Sequence, residues 1–295
     1  MADGEPSLLD PEFRKKLDVL DLVARKVRRR EQRGERPSRS RGIGTLFADH
    51  RSYTPGDDLR YLDWNVYGRL GIPMTKEFET ETSLHLVLLL DASASMDWGS
   101  PDKLDQARRL AAAFGYIALR RMDRVTLVVL GESAPPPRTF HGRAAIRGLF
   151  EALDDVRPGG STDLAGLARA GLGVLRQAGM AILLTDFLDR RGFEGVLREL
   201  TGRRLRTLAL HVVSPDEEEP PLDGALRLVD REDGDARVIH VTERVRRAYR
   251  DAFGRHVRGL EAACVRRRMN YLRVSTSVPF DTPLLGLLRR GGMIR

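Results

Sequence analysis

Apart from His85, the run Leu84 to Leu90 is wholly apolar, with no helical stripe. A strand carries such a run only when both of its faces are covered. Comparable short runs recur at Val125–Leu130, Met180–Thr185 and Thr207–Val213. Between them lie longer stretches whose apolar residues repeat every three or four positions, as on one side of a helix. Leu104, Ala107, Ala111, Phe114 and Ala118 form one such stripe. Helices are likewise expected over 144–156, 164–177, 193–201, 242–269 and 282–290, a strand over 271–275, and a hairpin around Glu232-Asp233-Gly234-Asp235. Buried strands alternating with helices predict an α/β fold: a doubly wound, mostly parallel sheet with helices on both faces.

The first eighty residues read differently. Asp10-Pro11 is a helix start, and Leu9, Phe13, Leu17, Leu20, Ala24 and Val27 follow at helical spacing. Gly34 to Gly44, rich in Arg, Ser and Gly, reads as a linker. Thr45 to Thr82 has no regular period. The chain is therefore expected to carry an N-terminal helix and an irregular or β extension ahead of the sheet domain.

The net charge of +8 is concentrated in two places. Residues 25–41 and 243–273 each carry +7, which leaves the rest of the chain acidic. Basic runs suit nucleic acid or acidic proteins. Forty-five of the fifty basic residues are Arg, however, which reads as a composition bias, and neither run interleaves aromatics as single-strand binders do. An acidic protein partner suits them at least as well. The single cysteine, Cys264, excludes an internal disulfide and a Cys-rich zinc site, and reads as a small buried apolar residue. No apolar run approaches the roughly 18 residues of a membrane span. The start Met1-Ala2-Asp3-Gly4-Glu5 lacks a secretory pattern, so a cytoplasmic protein is expected.

Ligands in such folds sit beyond the carboxyl ends of the strands. The polar residues expected there are Asp91, Ser93 and Ser95 after the first strand, Thr162 after Pro158-Gly159-Gly160, and Asp186 after the Met180 strand. Carboxylate and hydroxyl oxygens are hard donors. Mg2+ takes six oxygens at about 2.0–2.1 Å and readily keeps waters. The set therefore predicts a site for Mg2+ (or Mn2+ or Ca2+) with a position open to an outside carboxylate.

Asp-x-Ser-x-Ser, followed by a Thr in a Gly-rich loop and an Asp after a later strand, resembles the metal-ion-dependent adhesion site of von Willebrand factor type A domains. The likeness covers roughly residues 83–290. It implies that the hydroxyls of Ser93, Ser95 and Thr162 coordinate the metal, that Asp91 and Asp186 act mainly through water, and that an acidic residue of a partner completes the shell. Upstream, Gly56-Asp57-Asp58-Leu59-Arg60-Tyr61-Leu62-Asp63-Trp64, with Arg69, resembles the signature of the "domain of unknown function fifty-eight" family. That resemblance implies a MoxR-type AAA+ ATPase partner and a chaperone-like or metal-insertion role. Many members carry N-terminal membrane helices where this chain has a basic helix. The implied organisation is a basic helix and linker at 1–42, a family-specific segment at 43–82 and a von Willebrand A-like domain at 83–295.

Other readings fit less of the sequence. Asp58, Arg60 and Asp63 read as a structural ion-pair or interaction cluster and Trp64 as a packing anchor. Ser100-Pro101-Asp102-Lys103 matches a Ser-x-x-Lys nucleophile string, but a cap with a first-turn proline accounts for it. No His-Glu-x-x-His is present, and Gly159-Gly160-Ser161-Thr162 lacks the Lys of a phosphate loop. A Mg2+-dependent phosphoryl-transfer enzyme would need a second Asp where Ser93 stands. With no complete catalytic constellation, the expected function is metal-dependent protein binding. Phosphoryl transfer, or nucleic-acid binding through 25–41 and 243–273, is the alternative.

Overall fold

The computed structural model describes residues 8–34, 46–79, 84–132, 134–160, 163–173, 179–203, 205–229 and 234–289. In chain order the elements are α1 (Pro11–Gly34), β1 (Leu46–Ser52), α2 (Trp64–Leu70), β2 (Met74–Glu79), β3 (His85–Asp91), α3 (Lys103–Arg120), β4 (Arg124–Leu130), β5 (Arg138–His141), α4 (Ile146–Asp154), α5 (Leu164–Gly173) and β6 (Met180–Thr185). They continue with α6 (Glu194–Thr201), β7 (Arg206–Val213), α7 (Pro215–Glu218), β8 (Gly224–Val229), β9 (Ala236–Val241), α8 (Glu243–Arg266), β10 (Asn270–Ser275) and α9 (Asp281–Arg289).

The apolar runs form the middle of a six-stranded sheet ordered β10-β7-β6-β3-β4-β5. All neighbours are parallel except β5, which runs antiparallel to β4 at one edge. From β3 the chain moves outward through β4 to β5. It then returns to the other side of β3 as β6 and moves outward the opposite way through β7 to β10. The reversal falls between β3 and β6, where open α/β sheets leave a crevice at their carboxyl ends.

Alternate residues of β3 feed two cores, as the period of two requires. Leu86, Leu88 and Leu90 join α1, α3, α4 and α9, while Val87 and Leu89 join α5, α6 and α8. Cys264 lies in the second core, where burial pushes its thiol up to about 11. Helix α3 is buried nearly all round because the sheet covers one side and α1 closes the other. There the Tyr116 hydroxyl donates to Asp18 at 2.6 Å, and the Phe13 ring meets those of Phe150 and Phe280 at 6.1 and 4.8 Å. A Cβ at Gly115 would overlap Leu149 of α4, so glycine is what lets α3 and α4 approach.

The structure departs from the sequence reading in a few places. β5 was not expected, because its four residues bury only Phe140 and show too little alternation to register. Leu8, not Leu9, joins the core ahead of α1. The N-cap of α3 is Asp102, whose side chain accepts from the Leu104 amide, rather than Ser100. The expected linker beyond Gly34 lies outside the described residues.

The chain divides into two compact units, residues 1–28 with 84–295 and residues 29–83. The smaller one contains the antiparallel pair β1–β2 with α2 between them. No helix among the described residues is long and apolar enough to cross a membrane.

Candidate metal site at the strand reversal

β3 ends on Asp91 and β6 on Thr185, with Asp186 next. The parallel register, Leu90 beside Leu184, brings these residues together at one sheet edge. Both carboxylates are almost fully buried. Asp91 accepts the Ser93 amide on Oδ1 at 2.9 Å and the Thr185 hydroxyl on Oδ2 at 2.5 Å. Burial, and then the negative charge of Asp186, push the Asp91 carboxyl up to about 7 against those hydrogen bonds. Burial and proximity thus disfavour the charge on these two acids.

The hydroxyls lie where the loop turns. Ser93 Oγ and Ser95 Oγ are 2.9 Å apart. Two neighbouring vertices of an octahedron with bonds of 2.0–2.1 Å are also about 2.9 Å apart. Backbone bonds hold the loop: the Ala92 amide donates to the Leu130 carbonyl, and the Ala94 amide to the Gly160 carbonyl. The Gly159 amide donates to the Ala92 carbonyl at 2.9 Å. The Gly-rich loop thus lies against the serine loop. Thr162, two residues beyond Gly160, lies outside the described residues.

Asp186 already has a cation. Its Oδ2 accepts from Lys103 Nζ at 2.8 Å, and its Oδ1 from the Leu188 amide at 3.0 Å. Lys103 is 1% exposed and bonds Glu217 as well. Burial disfavours its charge, but the Asp186 and Glu217 carboxylates outweigh that and raise its pKa. Glu217 is held by the capping box of α7, taking the Ser214 amide at 3.1 Å. Nearby, burial pushes His211 down to about 3, and its Nδ1 lies 2.8 Å from the Tyr271 hydroxyl.

Asp91, Ser93, Ser95 and Asp186 therefore lie at one edge of the sheet, and all four carry hard oxygen donors. Among the described residues no group of three His, Cys, Asp or Glu side chains is placed to hold a metal ion, here or elsewhere, so the candidate set depends on its hydroxyls. Lys103, Glu217 and the Thr185 hydroxyl escaped the sequence reading as site residues. The signal for Lys103 was its rarity: it is one of only five lysines in an arginine-rich chain.

The upstream cluster behaves differently. Asp58 pairs with Arg60 at 2.6 Å on the surface and caps a short turn. Asp63 caps α2 and faces His50 at 2.8 Å and Lys76 at 3.5 Å. The two acids serve separate local roles. Trp64 does not anchor a core: it is 64% exposed, meeting Tyr67 edge-on at 6.2 Å.

Residues 49–258 match the family model described as "Protein of unknown function DUF58". The chain belongs to that family. This DUF58 protein is 29% identical over 262 residues to the uncharacterized protein Rv1480 of Mycobacterium tuberculosis, covering 85% of this chain and 81% of that one. A counterpart in Mycobacterium bovis matches equally. Among solved structures, it resembles the conserved hypothetical protein BatB from Bacteroides thetaiotaomicron with a TM-score of 0.41 and 15% identity, over 71% of this chain and 98% of that chain. Its TM-score to the SpRpn10 VWA domain is 0.39 at 12% identity, over 69% and 94%.

Proposed function

We propose that this DUF58 protein is a non-enzymatic protein-interaction module that makes its contact through a divalent cation, Mg2+ or an ion of similar hardness. Asp91, Ser93, Ser95 and Asp186 would hold the ion, with Thr162 completing the set as the resemblance implies. The observation that carries this reading is the pair of serine hydroxyls 2.9 Å apart beside buried Asp91, across the strand reversal from Asp186. When bound, the cation supplies an electropositive position at which an acidic side chain of a partner replaces a water. Asp91 provides compensating charge and orients the loop through the Ser93 amide. The Gly160 carbonyl fixes the loop from the other side, and Asp186 closes the site from β6. Following the family resemblance, the partner is proposed to be a MoxR-type AAA+ ATPase, met in the cytoplasm.

The basic segment 243–273 gives less support to a nucleic-acid interface than its composition suggested. Arg246 and Arg250 face Glu243, Arg266 and Arg267 face Glu194, and Arg273 faces Glu218. The test of the metal reading is calorimetric titration of Mg2+ into the wild type and Asp91→Ala. Heat of binding is expected only in the wild type, and equal heats in both would end the proposal.

A further inference from the structure

We propose that Lys103 is a resident cation that competes with the divalent ion for Asp186 and sets how weakly the site holds metal. This rests on the metal reading above. The ammonium lies 2.8 Å from Asp186 Oδ2 and is also bonded to Glu217, so it is held from both sides. It cannot withdraw into water, because it is 1% exposed, and Glu217 is itself locked into the cap of α7. An ion bound directly to that Asp186 oxygen at about 2.1 Å would stand no more than about 5 Å from a fixed positive charge. Lysine rather than arginine suits this place, since an ammonium is a compact point charge and not a broad planar fork.

The sum of formal charges gives the direction of the effect. Asp91, Asp186, Glu217 and Lys103 together carry −2, which one divalent ion neutralises. Without Lys103 the same pocket carries −3. It would then grip the ion harder and, once loaded, remain negative and repel an incoming carboxylate. With Lys103 present the loaded site is neutral and the ion is loosely held. An acidic partner then adds to metal retention, and metal and partner favour each other's binding reciprocally. The ammonium thus makes metal occupancy depend on the partner.

The test is titration of Mg2+ and Mn2+ into the wild type, Lys103→Met and the charge-balanced Lys103→Met/Glu217→Gln, with circular dichroism melts in chelator to establish folding. Lys103→Met is expected to bind at least tenfold tighter than the wild type. The double variant should also bind tighter but by less, because Glu217 lies beyond the ammonium and its negative charge is lost too. A purely structural lysine predicts the opposite sign, since its loss would loosen Asp186. Unchanged or weaker affinity in the folded variants, with the wild type binding, overturns the proposal and leaves the metal reading standing. If Lys103→Met does not fold, the double variant alone decides. If neither the wild type nor the folded variants bind either ion at millimolar concentration, the metal reading falls and this inference with it.

Discussion

The strand-end cluster and the segment 57–64 are both rich in acids, yet they treat carboxylates in opposite ways. Asp58 and Asp63 have pKa values pulled down, by the Arg60 side chain in one case and in the other by His50, reaching about 2 at Asp63. Each is satisfied by cations and amides from residues 50–76. Asp91 is pushed up to about 7 by burial and by Asp186, and its own hydrogen-bond partners are a neutral amide and a hydroxyl. A depressed carboxylate already has its counter-charge, whereas Asp91 has no cation among its hydrogen-bond partners. The same residue type thus means structure in one region and a site in the other, and its partners tell which.

The sharpest way to break this contrast is to remove one cation from each region. In chelator, Lys103→Met should lose about 3–5 kcal/mol, the cost of stranding buried charge. Arg60→Met should leave the denaturant midpoint unchanged, since its pair with Asp58 lies at the surface. An equal loss in both would erase the distinction. Next comes the response to metal. At a Mg2+ concentration 100 times its Kd, binding should stabilise the wild type by about 2.7 kcal/mol. Asp91→Asn should abolish that gain and Asp63→Asn should keep it, as read by thermal melts with and without chelator.

Acid separates the regions further. His211 is held neutral with its pKa lowered from 6.5 to about 3. Between those values the unfolded chain binds the extra proton, so stability present above pH 6.5 is lost on acidification. His211 alone contributes about 1.4 kcal/mol per pH unit, or about 2 kcal/mol by pH 5, while Asp91, raised to about 7, acts in the opposite sense over the same window. His211→Gln should therefore gain about 2 kcal/mol relative to the wild type between pH 6.5 and pH 5. Asp63, lowered from 3.8 to about 2, should contribute its own loss only as the pH falls through that lower window. The smallest effect compares two glycines of similar positive φ. Gly71, capping α2 with open space around it, should cost roughly 1 kcal/mol on mutation to Ala. Gly160→Ala should cost more, because its Cβ would run into Glu132, and it should also weaken Mg2+ binding by shifting the loop that holds Ala94.

The sheet was legible because its strands are buried on both faces, and Met180–Thr185 is found within its expected bounds. That Asp91, Ser93, Ser95 and Asp186 lie at one sheet edge was legible too, since it needs only the polar residues that follow each apolar run; the strand order was not. Lys103 was not. A lysine beside a helix cap reads as a solvated first-turn residue, and only the fold reveals that two carboxylates distant in sequence meet it. β5 and Trp64 failed for a similar reason. Four residues carry too little pattern, and an aromatic side chain does not declare from sequence alone whether anything covers it.

The two ends of α3 are held by different parts of the protein. Its first turn places Lys103 between Asp186 and Glu217, while Tyr116 and Arg120 in its last turns are tied to Asp18 and Asp21 of α1. Eighteen residues at 1.5 Å each make it a strut of about 27 Å. It cannot slide along its axis without breaking one set of ties or the other, so the position of the ammonium at the sheet edge is coupled to the contacts that α1 makes at the far end of the strut.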